Sequence, residues 1–142
     1  MKFLFDTDHI SILQRKSAPE FVALSVRIAR ESPADLAFSI VSFHEQVLGC
    51  HTYLSRARNP TEVSRGYGML TGVLEDFGSA QVLPFDALAA TTLDGLIAQG
   101  VRVASMDLRI ACIALSRGLT VLTRNTRDFR RVPGLLTEDW TV

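Results

Sequence analysis

The order in which apolar segments follow one another constrains the fold of this chain most. Short apolar runs at residues 3–5, 36–41, 80–83 and 119–123 are predicted strands. Segments with helical spacing lie between them, including one after Pro19 with Phe21, Leu24 and Ile28 on one face. Strands that alternate with helices in this way are typical of an α/β protein with a parallel, doubly wound sheet.

Polar and glycine residues predict where several of these helices begin and end. Ser42 is expected to cap the helix after the second strand, Asp86 the helix after the third, and Ser105 the helix over residues 106–117. Gly118 stands where a helix C-terminal glycine belongs. A further helix is predicted over residues 61–77, although three glycines weaken it.

Length and composition indicate one domain over residues 1–142, with 47% hydrophobic and 21% charged residues. Two cysteines are too few for a disulfide framework and suit a reducing cytoplasm. Only three apolar residues lie between Lys2 and Asp6, and no run approaches the roughly 18 that a membrane span needs, so we expect a soluble cytoplasmic protein with no membrane partner.

Five acidic residues take positions that a parallel sheet would bring to one edge. Asp6 and Asp8 follow the first strand, Glu45 lies in the first turn after the second, Asp107 begins the helix before the last strand, and Asp128 follows that strand. The C-terminal ends of parallel strands and the N-termini of the connecting helices share an edge, where ligands bind. We therefore expect Asp6, Glu45, Asp107 and Asp128 to converge.

Converging carboxylates imply a cation. Two of them about 4 Å apart repel by roughly 4 kcal/mol at an effective dielectric of about 20, and hard oxygen ligands favour Mg²⁺, with Mn²⁺ as an alternative. Such an ion activates water and stabilises phosphoryl charge, which is the equipment of phosphodiester hydrolysis. The hypothesis assigns direct metal binding to Asp6 and Asp107, and action through water to Glu45 and Asp128. Thr123 and Asn125 are expected to hydrogen-bond the carboxylates.

Simpler interpretations compete for these residues. Acids at helix starts are common caps, so capping alone is an alternative for each of the site acids, and Asp8 and Asp86 are expected to be structural. The three histidines and two cysteines do not have the spacing of a zinc site. Thirteen of the 15 basic residues are arginine, and the four that crowd one segment either form a solvated surface or contact nucleic acid backbone: Arg124, Arg127, Arg130 and Arg131.

The Asp-x-Asp of the first strand also fits an aspartyl-phosphate phosphatase. Such an enzyme needs a lysine near its phosphate late in the chain, and only Lys2 and Lys16 exist here. The chain has no phosphate-binding P-loop and no Gly-x-Ser-x-Gly nucleophile turn.

Three segments together resemble one family. FLFDTDHIS is similar to the first acidic motif of PIN-domain nucleases, and VSFHEQVLG is similar to the second. The long block SMDLRIACIALSRGLTVLTRNTRDFRRVPGLLTEDW resembles the C-terminal half of the VapC toxins of bacterial toxin–antitoxin pairs.

This resemblance implies a PIN-like three-layer α/β/α sandwich with a mostly parallel central sheet. It implies a Mg²⁺-dependent ribonuclease that cleaves RNA, forms a homodimer and is neutralised by a cognate VapB-like antitoxin. The catalytic residues carried over are Asp6, Glu45, Asp107 and Asp128, and Asn125 shares or replaces the role of Asp128. A phosphatase and a catalytically silent PIN-like binding module stay open as alternatives.

Overall fold

The computed structural model describes all of residues 1–142 and contains a five-stranded sheet in the order β3-β2-β1-β4-β5. Every neighbouring pair of strands is parallel. The strands are β1 Phe3–Phe5, β2 Leu36–Ser39, β3 Val82–Leu83, β4 Thr120–Leu122 and β5 Thr137–Glu138. The helices are α1 Thr7–Arg15, α2 Ala18–Ala29, a 3₁₀ turn Pro33–Asp35, α3 Ile40–Ser55, α4 Pro60–Gly78, α5 Ala87–Ala98, α6 Ser105–Arg117 and α7 Thr126–Phe129.

Helices cover both faces of the sheet, so the core is divided into two clusters. Leu4 belongs to one cluster with Ile110 and Ile113 of α6, whereas its neighbour Phe5 belongs to the other with Leu24 of α2. Adjacent residues of a strand point to opposite faces, and both side chains are at most 2% exposed. The predicted α/β/α sandwich is therefore confirmed, with a sheet that is entirely parallel.

The boundary between β2 and α3 differs from the prediction. The strand ends at Ser39 and the helix begins at Ile40, although residues 36–41 form one apolar run. Ser39, and not Ser42, is the N-cap, and its hydroxyl accepts a hydrogen bond from the Ser42 backbone N–H at 3.0 Å. The apolar run continues past the cap because Val41 enters the core from the first turn of the helix.

Most other helix boundaries lie close to the predicted positions. Asp86 caps α5, and Gly118 ends α6 in the left-handed conformation at φ +67°, as predicted. Ser105 is the first residue of α6 rather than its cap, because the N-cap position belongs to Ala104. The helices α1 and α7 and the strand β5 were not predicted from the periodicity of the sequence.

The glycines of α4 do not break the helix, and one of them lies where α4 packs on α3. A Cβ at Gly66 would collide with the Leu54 side chain, which would have to shift, so this glycine lets α4 approach α3 closely. In this position the missing side chain offsets the low helix propensity of glycine. None of the helices has both the length and the hydrophobicity that a transmembrane segment needs.

The sheet order places β1 at the centre, between β2 and β4. Leu4 pairs with Ala37 on one side and with Val121 on the other. The C-terminal ends of all three strands therefore lie at one edge, where the chain continues into Asp6, α3 and Thr123.

Candidate functional site

Asp6 lies where the central strand ends, and it is also the N-cap of α1. Its Oδ1 accepts a hydrogen bond from the Thr7 backbone N–H at 2.8 Å, and its Oδ2 accepts one from the Thr123 hydroxyl at 2.8 Å. The residue is only 5% exposed. The pKa of Asp6 is raised to about 7, chiefly by burial and also by the charges of Asp8 and Asp107, while the two hydrogen bonds act in the opposite direction.

Glu45 enters the same site from α3, in the second helical turn rather than the first that was predicted. Its Oε1 accepts a hydrogen bond from the Thr7 hydroxyl at 2.9 Å, which ties α3 to the start of α1. Burial raises the pKa of Glu45, and the charges of Asp107 and Asp8 act in the same direction. Glu45 therefore lies close enough to Asp107 and Asp8 for their negative charges to raise its pKa.

Asn125 joins the last two predicted acids. Its Nδ2 lies 3.0 Å from Asp128 Oδ2 and 3.5 Å from Asp107 Oδ2, and its backbone N–H donates to the Thr123 hydroxyl. Burial raises the pKa of Asp107, followed by the charges of Asp128 and Asp8. Asn125 and Asp128 therefore both belong to the site, so geometry does not force a choice between them.

Asp8 lies at the centre of this network, although it was expected to be a structural residue. Its Oδ2 accepts a hydrogen bond from the Arg124 backbone N–H at 2.9 Å and lies 3.3 Å from the Thr123 hydroxyl. The charge of Asp8 contributes to the raised pKa values of Asp6, Glu45 and Asp107. The Asp-x-Asp spacing was the available signal, because it places both carboxylates just after β1.

Thr7 and Ser42 are polar residues of the site that the sequence did not reveal. The Thr7 hydroxyl lies 2.9 Å from both Glu45 Oε1 and Ser42 Oγ. Ser42 is fully buried and touches the capping Ser39 hydroxyl at 3.4 Å. Neither residue has a local pattern that separates it from an ordinary helix-start hydroxyl.

The donor set fits a hard divalent cation that keeps part of its water. No group of three or more histidine, cysteine, aspartate or glutamate side chains forms a ready-made metal cage. Mg²⁺ commonly takes one or two protein carboxylates and retains several waters, so it does not need such a cage. Three carboxyl groups here have raised pKa values through burial and mutual repulsion, and a cation would relieve both effects.

The predicted RNA-contacting arginines border the same edge. Arg124 directly follows Thr123, and Arg127 lies in α7 one residue before Asp128. Both side chains are exposed, and neither forms an ion pair with a carboxylate of the chain. Their positive charges are therefore available to a polyanion beside the acidic cluster.

The chain is similar over nearly its whole length to proteins named VapC. No protein-family model matches the chain. It is 35% identical over 146 residues to the tRNA(fMet)-specific endonuclease VapC of Shigella flexneri, covering 99% of both proteins. It is 30% identical over 145 residues to Ribonuclease VapC1 of Haemophilus influenzae strain R2866, again over 99% of each.

Solved structures agree with the fold. The VapBC-1 structure from nontypeable Haemophilus influenzae matches with a TM-score of 0.78 at 23% identity, covering 100% of both chains. The DNA-bound VapBC of Salmonella typhimurium matches with a TM-score of 0.70 at 27% identity, covering 99% of this chain and 98% of the other.

Proposed function

The chain belongs to the VapC family of ribonucleases, and from this membership we propose that it is a Mg²⁺-dependent endoribonuclease that acts as the toxin of a VapBC pair. The observation that carries the metal dependence is the hydrogen-bonded acidic cluster at the C-terminal edge of the sheet, with three carboxyl groups of raised pKa. Without a bound cation, carboxylates this close would only repel one another, whereas a metal ion would let them assist phosphodiester hydrolysis.

In the proposed mechanism the acidic residues divide between holding the ion and handling water. Asp6 and Asp107 would hold Mg²⁺, for which Mn²⁺ is an alternative, and the bound ion would supply an activated water and stabilise charge on the phosphoryl oxygen. Thr123 keeps the Asp6 carboxylate in one orientation through its 2.8 Å hydrogen bond. Asn125 holds Asp128 in place and reaches Asp107.

Glu45 and Asp128 act on water. Because burial raises the pKa of Glu45, this carboxylate takes up a proton more readily than a free glutamate does. Its Oε1 is fixed by the Thr7 hydroxyl, which leaves Oε2 for the attacking water. Asp128, which is held by the Asn125 amide, would orient a second water.

The proposed substrate is RNA, and the proposed protein partner is a VapB-like antitoxin. Relatives of this chain are named as ribonucleases, and solved neighbours are VapBC complexes, one of them bound to DNA. Arg124 and Arg127 would contact the phosphate backbone of the RNA beside the acidic cluster. The homodimer and the cytoplasmic location belong to the same proposal, and the two buried free thiols fit a reducing compartment.

The test is cleavage of total RNA by the purified protein. We expect cleavage with Mg²⁺, loss of cleavage with chelator, and recovery on adding back Mg²⁺ or Mn²⁺. Asp107→Asn should lower the rate by more than about a hundredfold, because several kcal/mol of charge stabilisation depend on the ion. Asp94→Asn, at an exposed position of α5, is the matched control and should cleave normally.

Three results would contradict the proposal. Cleavage that persists in chelator would exclude a role for the metal. Phosphate release from a small phosphomonoester, with a covalent intermediate on Asp6, would identify the phosphatase alternative. Toxicity in cells that survives both Asp6→Asn and Asp107→Asn would indicate a binding module without catalysis.

A further inference from the structure

His9 is a buried histidine beside the acidic cluster that the mechanism does not use. Its side chain is 0% exposed, and both ring nitrogens have partners. Nδ1 lies 2.8 Å from Asp8 Oδ1, and Nε2 lies 3.1 Å from the Trp140 backbone nitrogen. A backbone N–H can only donate, so Nε2 must be the acceptor and Nδ1 carries the proton. The neutral ring therefore donates one hydrogen bond, and it donates it to Asp8.

With the hydrogen bond from His9, both carboxylate oxygens of Asp8 have hydrogen-bond partners. One carboxylate oxygen accepts from His9, while the other accepts from the Arg124 backbone N–H at 2.9 Å and lies 3.3 Å from the Thr123 hydroxyl. Both oxygens are thus occupied by the protein. Asp8 is turned toward the segment between β4 and α7, the same segment that supplies Asn125.

The far side of His9 is anchored by the C-terminal segment. Trp140 is 1% exposed, and its ring packs against Phe3 with centroids 4.7 Å apart. The Arg27 guanidinium lies 5.0 Å from the Trp140 ring, and Glu138 accepts hydrogen bonds from both residues. The backbone N–H that His9 accepts from therefore belongs to a rigid element.

We propose that His9 is a positioning residue, which holds the Asp8 carboxylate against the β4–α7 segment and so keeps the acidic cluster in the arrangement that binds the cation. This inference rests on the proposed metal-dependent function. His9 touches neither substrate nor ion. Its effect passes through Asp8 to Thr123 and Arg124, and from Thr123 to Asp6 and Asn125.

Two substitutions separate the two hydrogen bonds of the ring. The amide of asparagine in His9→Asn reaches about as far as Nδ1 and can donate to Asp8, but it falls short of Trp140. The amide of glutamine in His9→Gln reaches about as far as Nε2 and can accept from Trp140, but its oxygen and nitrogen are too distant to replace Nδ1. Both variants remove the ring, so they share the loss of packing.

The readout is Mg²⁺ affinity measured by calorimetry, with circular dichroism and thermal melting to verify folding. Loss of a residue that directly orients a metal ligand typically costs 10–100-fold in metal affinity, and His9 acts one residue further from the ion, through Asp8 and Thr123 to Asp6. We therefore expect His9→Gln to weaken Mg²⁺ binding by about tenfold, the lower end of that range, and His9→Asn to stay within about threefold of the wild type. RNA cleavage at limiting Mg²⁺ should follow the same order.

The tautomer of the His9 ring can be measured in the wild-type protein, so this test does not depend on the folding of the variants. In ¹⁵N NMR spectra the His9 ring should show the Nδ1–H tautomer, and an Nε2–H tautomer would overturn the proposal. Equal Mg²⁺ affinities for the two variants, with normal binding by the wild type, would also overturn it and leave the proposed function intact. Absence of Mg²⁺ binding by the wild-type protein would overturn both.

Discussion

Replacing Asp6 with asparagine is expected to stabilise the metal-free protein at neutral and higher pH, although it removes a proposed metal ligand. The pKa of Asp6 is raised from 3.8 to about 7, chiefly by burial. Between these two values the folded protein keeps a proton that the unfolded chain has released. The free energy of unfolding therefore falls as pH rises from about 4 to about 7, and the loss is complete above that range.

The magnitude follows from the size of the shift. A change of about three pKa units corresponds to about 4 kcal/mol of destabilisation by the ionised carboxylate. Asparagine has one acceptor oxygen in place of two, so it keeps only one of the hydrogen bonds from Thr7 and Thr123. That loss costs about 1–2 kcal/mol. The net gain for Asp6→Asn near pH 8 is therefore about 2–3 kcal/mol.

Urea denaturation of both proteins in chelator, followed by fluorescence of the single tryptophan, measures the difference. The stability of Asp6→Asn relative to the wild type should rise by about 4 kcal/mol between about pH 4 and about pH 7 and then stay constant. Millimolar Mg²⁺ should stabilise the wild type and leave the variant unchanged. A variant less stable than the wild type near pH 8 in chelator, or an advantage independent of pH, would refute the reasoning.

Three further substitutions test other parts of the structure. Thr123→Val removes the hydroxyl that holds the N-cap carboxylate with almost no change of volume, and Mg²⁺ affinity measured by calorimetry should fall about 10–100-fold; unchanged affinity would exclude its positioning role. Gly66→Ala places a Cβ against α3 and should lower the free energy of unfolding, measured in urea, by about 1–3 kcal/mol. Gly68→Ala is the control, because its Cβ meets no atom within 4 Å, and it should raise the free energy of unfolding by up to about 1 kcal/mol. Equal effects of the two substitutions would contradict the close approach of α4 to α3. Arg124→Ala and Arg127→Ala should each weaken RNA binding in filter assays and reduce its salt dependence by about 0.7 in log–log slope, and an unaltered slope would place them outside the RNA interface.

The periodicity of the sequence was sufficient for four of the five strands and for the long helices, but the two-residue strand β5 is too short to show a pattern. Capping was weighed as an alternative for the site acids, but no helix was predicted after Asp6, so its combination of a cap and a proposed metal ligand was not foreseen. The apolar run at residues 36–41 concealed the transition at Ser39 because Val41 is buried from the helix as deeply as Ala37 is from the strand.

The site was predictable in outline because parallel topology collects strand ends at one edge. The contacts inside it were not predictable, since they depend on pairs distant in sequence. The hydrogen bond between Thr123 and Asp6 joins residues separated by 117 positions. The placing of Asp8 beside Arg124 and the pairing of His9 with Trp140 depend on tertiary packing in the same way.

The parallel pairing of β1 with β4 has a consequence for synthesis of the protein. The ribosome makes Asp6 117 residues before it makes Thr123, whose hydroxyl holds the Asp6 carboxylate. A nascent chain therefore carries an incomplete set of site residues until β4 and the residues after it have been synthesised. A fragment that terminates before β4 lacks the same residues, and we expect it not to cleave RNA.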